Sequence, residues 1–226
     1  LRITDPTGGG YYSTIATAIN WAADHGSRVA SISFADIEAS ATCISAAQYF
    51  QSKGGVVVNA AGNGGILDTT PASAYLISVS ATDGSDARAS WSTFGPFVDL
   101  AAPGVGIWTT TVGGGYGNPS GTSFSCPITA GTVALMFSVN PSLSPTQVQS
   151  ILFSTAQDLG DVGWDQYFGH GRVDAGAAVL AAKNAIAVDT QAPSVSITSP
   201  QNGAVLIGAA TVNVSASDNT GVVRVD

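Results

Sequence analysis

The chain has 226 residues, of which 45% are hydrophobic and only 10% charged, with 27 glycines and a net charge of −8. An ordinary soluble protein is about 25% charged, so this composition excludes disorder and calls for a large buried core joined by tight turns. Only seven Lys and Arg occur, which excludes the basic footprint of a nucleic-acid binder; the acidic balance leans towards an extracellular protein.

Helical and strand patterns alternate along the first 187 residues. Ser13 or Thr14 is placed to cap a helix with apolar positions Ile15, Ala18, Ile19, Ala22 and Ala23, ending near Gly26. Val29 to Phe34 reads as a buried strand. A helix over about Ala39 to Lys53 is stopped by Gly54 and Gly55. Val56 to Ala61 reads as the next strand, with Leu76 to Ala81 and Phe97 to Ala101 as further candidates. A long helix follows Gly121. Another begins at Ser144-Pro145, a cap followed by proline at the first helical position, and runs to about Gln157; a last one covers Ala175 to Ala187. Apolar strands alternating with helices predict an α/β fold, a mostly parallel sheet with helices on both faces. Such sheets place their chemistry at the carboxyl ends of strands.

The texture changes at Asp189-Thr190-Gln191-Ala192-Pro193. Beyond it lie alternating β-branched pairs, Val195 and Ile197, Val205 and Ile207, Val212 and Val214. The turns between them are Pro200-Gln201-Asn202-Gly203 and Asp218-Asn219-Thr220-Gly221. This predicts the first strands of a β-sandwich. The expected organisation is therefore a domain over 1–188, a linker over 189–193 and a partial sandwich over 194–226. Leu1 starts in mid-pattern and Asp226 ends in mid-strand, so both ends are read as truncations.

From Leu100 to Gln157 there is no charged residue. The apolar run Phe124 to Val139 is interrupted by Pro127 and Gly131 and falls short of the ~20 residues of a membrane span. It predicts a core helix. Cys43 and Cys126 leave a single bridge or two free thiols open.

Three stretches carry candidate chemistry. In Gly121-Thr122-Ser123-Phe124-Ser125-Cys126-Pro127, a serine stands at the mouth of a long helix, whose N–H groups and dipole suit a developing oxyanion; alone, it also reads as an ordinary N-cap. In Val56 to Gly65, an apolar strand ends in Asn63 between glycines, either an amide donor or a turn residue. The strand end Ser33-Phe34-Ala35 can pair with an extended peptide or be a plain core strand.

In this order and spacing, these stretches resemble the subtilase family of serine proteases from Leu1 to about Ala187. Gly121-Thr122-Ser123 with Pro127 is similar to its nucleophile motif, and Ala60-Ala61-Gly62-Asn63 to its oxyanion motif. Val79 to Asp83, Ala89 to Ser92 with Gly95-Pro96, Asp99 to Gly104, and Gly169 to Ala175 fall in family order. The resemblance implies a serine endopeptidase on a subtilisin-like fold that acts on polypeptides through an acyl-enzyme on Ser123. Asn63 and the Ser123 N–H would form the oxyanion hole. Ser33, Phe34 and Ala35 would pair with substrate backbone and form one wall of the specificity pocket; Ala60, Ala61 and Gly62 would form the other. No cofactor is implied for the chemistry. Structural calcium is implied for many members, although Asp83, Asp86 and Asp99 read better as surface or capping residues. The tail from Ala192 resembles a bacterial immunoglobulin-like module, implying a secreted or cell-surface bacterial protein.

The chain departs from the family pattern at Ala35, where glycine is usual and a methyl narrows the cleft. It departs also at Phe34, bulkier than the common Leu and suggestive of an apolar cleft, and at Ser125, Cys126 and Ile128. Ile66 to Tyr75 is short, so the family's pocket base and any secondary cation site there are not aligned with particular residues. The family's catalytic Asp and His are expected upstream of Leu1. Asp5-Pro6-Thr7-Gly8 imitates the Asp motif but precedes no catalytic His motif. His25 reads as a surface residue at a helix end and His170 as a structural one. The alternative is an inactive subtilase homologue with a binding or structural role. Other serine hydrolases fit poorly: Ser125 stands where an α/β-hydrolase needs glycine, and neither Lys53 nor Lys183 follows a serine by three. Gly113-Gly114-Gly115 lacks the lysine of a phosphate loop.

Overall fold

Four short apolar segments lie side by side because they can be buried on both faces. In the computed structural model, which describes residues 1–5, 7–185 and 192–218, these are β1 (Val29–Ile32), β2 (Val56–Ala60), β3 (Leu76–Thr82) and β4 (Leu100–Pro103). They pair in the order β1-β2-β3-β4, all parallel. The α-helices are α1 (Tyr12–Asp24), α2 (Ala41–Ser52), α3 (Thr122–Val139), α4 (Pro145–Thr155) and α5 (Ala175–Asn184).

Successive side chains of a strand point to opposite faces, and the core divides accordingly. Val56, Val58 and Ala60 of β2 join Ile77, Val79, Leu100 and Ala102 in a cluster with Cys126, Val133 and Met136 of α3, Leu152 of α4 and Ala178 of α5. Ile32, Val57 and Leu76 face the other way, against Ile15 and Ile19 of α1 and Ala47 and Phe50 of α2. The result is a parallel sheet between two helical layers. α3 is long and apolar enough to cross a membrane, but half of its span is buried in this molecule; it packs across all four strands. Cys43 and Cys126 are both free: they sit in the clusters on opposite faces of the sheet, so no bridge can join them.

Local chemistry sets the helix ends. α4 starts at a capping box in which Ser144 and Gln147 each bond the other's backbone N–H. α2 is capped by Ser40, whose hydroxyl accepts from the Cys43 N–H. α1 differs from expectation: it begins at Tyr12, its N-cap is Tyr11, and no side chain caps it, so Ser13 and Thr14 lie inside the first turn. Phe97 also falls outside a strand; its ring packs with Ala61 and Val98 in a third, small cluster. The last helix ends at Asn184 in place of Ala187, which lies outside the described residues.

Two short strands were not foreseen, β5 (Thr109–Thr110) and β6 (Tyr116–Gly117), an antiparallel hairpin just before α3. The chain divides into two units, Leu1–Ala185 and Ile186–Asp226. In the second, β7 (Ser194–Ser199) and β8 (Asn213–Ser217) pair antiparallel. Val205 and Ile207 lie outside both strands and are exposed. Asn219 to Gly221 of the second turn and residues 189–191 of the expected linker lie outside the described residues.

Candidate active site

The first turn of α3 is built around a missing hydrogen bond. Pro127 has no N–H, so it cannot close the helical bond to the carbonyl four residues earlier, that of Ser123. That carbonyl is taken from outside: the Ser33 hydroxyl, just beyond β1, donates to Ser123 O at 2.9 Å. The strand end and the helix start are thereby joined at Ser123, which is half-buried.

The end of β2 meets the same turn. The Asn63 carboxamide oxygen accepts from the Thr122 N–H at 2.9 Å and from the Thr122 hydroxyl at 3.0 Å. That hydroxyl in turn accepts from the Gly62 N–H at 3.1 Å. With its oxygen held twice, Asn63 presents its Nδ2 outward, and among the described residues Nδ2 donates to nothing. A methyl built on Gly121 would lie 3.5 Å from Asn63 Nδ2 and 3.7 Å from Ser123 N. Asn63 Nδ2 and the Ser123 N thus lie near one point at the N-terminus of a helix, where the dipole favours negative charge. Asn63 and Ser123, distant in sequence, are brought together.

Thr122 is a residue of this candidate site that sequence reasoning does not single out. It is fully buried and holds Asn63 through the bonds just described. Its place beside Ser123 in the motif is the one available signal.

The loop before α3 is held by close packing. The Gly121 N–H donates to Gly104 O at 2.8 Å. A side chain at Gly104 would come within 2.6 Å of both the Ala81 Cβ and the Ser125 Oγ. Ser125 donates to Ala102 O at 3.0 Å, and the Cys126 thiol to Val58 O at 3.3 Å. These small polar residues tie α3 to β2 and β4.

The pocket residues divide. Ala35, Ala60, Ala61 and Gly62 lie at the neighbouring ends of β1 and β2. The Phe34 ring, half-buried, lies against Gly10 and packs with the α1 and α2 side of the core. The histidines are occupied elsewhere. His25 stacks on Trp21 at the exposed end of α1, with its Nδ1 2.7 Å from Trp21 O. His170 stacks on Phe153 at 4.4 Å, and burial holds its pKa below the usual value. Asp5 is the centre of its own turn, accepting from the Thr7 N–H, the Thr7 hydroxyl and the Gly9 N–H; these bonds, the Thr7 hydroxyl first, lower its pKa.

Below the β2 end lies a buried polar cluster. Glu38, in a single 3-10 turn over Ile37–Ala39, accepts from the Asn59 amide and from the Ser78 hydroxyl at 2.7 Å. The Ser78 N–H donates to Asp99 Oδ2 at 2.8 Å. Burial raises the pKa of Glu38. Burial also pushes Asp99 up to about 7, against the pull of the Ser78 bond, with the Glu38 charge adding to the rise. Asp83 accepts from the Ser85 and Ala87 N–H groups, and Asp86 pairs with Arg172 at 2.6 Å. Among the described residues no three His, Cys, Asp or Glu side chains gather as metal ligands.

A parallel sheet flanked by helices, with a serine at the N-terminus of its central helix and an asparagine amide beside it, is the subtilisin-like arrangement. The chain belongs to the subtilase family: residues 1–171 match that family's model, and residues 193–226 match a bacterial Ig domain. It is 37% identical over 180 residues to alkaline elastase YaB of Bacillus sp. (strain YaB), covering 79% of this chain and 47% of that protein. It is 36% identical over 180 residues to subtilisin Savinase of Lederbergia lenta, covering 79% and 66%. It is 37% identical over 181 residues to thermitase of Thermoactinomyces vulgaris, covering 79% and 63%. The structure of sphericase superposes with a TM-score of 0.66 at 28% identity, covering 74% of this chain and 64% of that one. The chain thus spans about half to two-thirds of the length of the relatives it matches.

Proposed function

We propose that the chain belongs to a secreted or cell-surface bacterial serine endopeptidase and supplies its nucleophile, Ser123, and its oxyanion donors, the Asn63 amide and the Ser123 N–H. The observation that carries this reading is the convergence of those two donors on one space beside Ser123. The proposed organisation is a peptidase domain over 1–188, a linker over 189–193 and a partial immunoglobulin-like domain over 194–226.

In the reaction, the Ser123 Oγ attacks the substrate carbonyl carbon while a histidine takes its proton. The carbonyl oxygen becomes an oxyanion held by Asn63 Nδ2 and Ser123 N–H in place of water. Collapse of this intermediate breaks the C–N bond, and the departing amine takes the proton from the histidine. Water then adds to the acyl-serine by the same steps and releases the acid. The histidine and its aspartate come from a segment upstream of Leu1. Both histidines of this chain are engaged away from Ser123, which supports that assignment. So does β1: among the described residues it is an edge strand, beside a groove of about 420 Å³ lined by Leu1, Ile3, Ile15 and Ile19. An edge strand next to an apolar groove is suited to receive another strand.

The test is labelling with a fluorophosphonate. The full-length protein is expected to form one adduct, at Ser123, and Ser123→Ala to form none while melting at an unchanged temperature. The 226-residue chain alone is expected to hydrolyse no peptide, because no base faces Ser123. No adduct in a folded full-length protein would favour an inactive homologue, and peptide hydrolysis by this chain alone would overturn the assignment of the base.

A further inference from the structure

The gap between the ends of β1 and β2 is closed at one point by a side chain. A Cβ built on Gly62 would lie 3.2 Å from the Ala35 Cβ and 3.1 Å from the Thr93 Oγ1. Allowing for the length of a Cα–Cβ bond, the Ala35 methyl lies within about 4.7 Å of the Gly62 backbone. A substrate group inserted between two walls makes a van der Waals contact of about 3.5–4.0 Å with each, so it needs about 7–8 Å between their atoms. The gap falls well short of that. Gly62 is correspondingly buried, whereas its neighbour Asn63 is exposed.

Neither wall is free to retreat. Thr93 is bolted to the β2 end twice: its N–H donates to Gly62 O at 3.0 Å, and its hydroxyl accepts from the Gly64 N–H at 3.0 Å. It is 6% exposed. Ala35 is followed by Asp36 in the left-handed conformation, φ 61°, which turns the chain directly into the buried Ile37–Ala39 turn.

We infer that Ala35, whose methyl stands close to Gly62, limits the residue on the acyl side of the scissile bond to Gly, Ala or Ser. The inference rests on the protease reading above and on substrate entering between the two strand ends. It assigns specificity to one methyl group: with glycine at position 35 the space which that methyl fills would be open.

The experiment uses the full-length protein and two peptide p-nitroanilides that differ only in the residue before the anilide, Ala or Phe. The expected result is a kcat/KM for the Ala substrate about 100-fold or more above that for Phe, the upper range for size discrimination in a binding pocket. Ala35→Gly is expected to shrink that ratio by about 10-fold or more, and Ala35→Val to lower hydrolysis of the Ala substrate relative to a Gly one. Fluorophosphonate labelling of Ser123 reports that each variant retains a folded site. If the unmodified protein forms the Ser123 adduct yet cleaves the Phe substrate as well as the Ala one, the inference is overturned while the protease reading stands. If it forms no adduct and cleaves neither, both fall.

Discussion

Replacing Thr122 by valine keeps the shape of the side chain and removes only its hydroxyl. Thr122 is fully buried, so its two bonds are shielded from water. The Gly62 N–H loses its acceptor and is left unpaired in the interior, at a cost of about 1–3 kcal/mol. The Asn63 oxygen keeps the Thr122 N–H and loses the hydroxyl, one of two tethers that aim Nδ2. A tether of this kind contributes about 0.5–1.5 kcal/mol, and about 1.4 kcal/mol is a factor of ten in rate. The full-length variant is therefore expected to turn over peptide anilides about tenfold more slowly with KM nearly unchanged, since the donor acts on the oxyanion and not on bound substrate. A loss of about 2 kcal/mol also predicts a melting temperature lower by about 4–8 °C in a domain of this size. Full turnover together with an unchanged melting temperature would refute the idea that Thr122 holds Asn63.

Removing the donor itself is expected to do more. Asn63→Ala should lower kcat by about 10²–10³, the scale known for a lost oxyanion donor in this family, while a ground-state inhibitor binds almost as before; an equal loss in both would contradict the assigned role. The buried cluster makes stability depend on pH. The Asp99 carboxyl has its pKa raised from 3.8 to about 7 by burial. Between those values the folded protein holds a proton that the unfolded chain has released. Stability from this group is therefore greatest at the acid end of that window and falls as pH rises to about 7, by at most about 4 kcal/mol. Asp99→Asn should flatten the difference in melting temperature between pH 5 and pH 8; identical profiles for variant and parent would refute the attribution.

The residues that sequence reading placed best are those whose environment is set locally. Val56 to Ala60 is apolar without a break because both faces are covered, and Ser144-Pro145 with Gln147 spells a helix start in its own side chains. The meeting of Asn63 and Ser123 follows from ordered motifs, though nothing near either residue implies it alone. What was hidden depends on distant partners. Asn59 and Ser78 read as strand residues of no particular note until Glu38 is folded over them. The contact of the Phe34 ring with Gly10 likewise has no sign in the sequence around either residue. Ser13 and Thr14 have the chemistry of a cap, but the cap position falls at Tyr11, two and three residues before them. Ala35 is legible as a departure from the family pattern, while the distance that gives it force depends on Gly62, at the neighbouring strand end.

The proline in α3 has a mechanical consequence. A helix with a rung removed near its start hands one of its carbonyls to a neighbour, and here the neighbour is the strand end along which a bound peptide would lie. In the proposed reaction that strand end receives the peptide and Ser123 attacks it, so docking and attack would share one joint, the Ser33 hydroxyl.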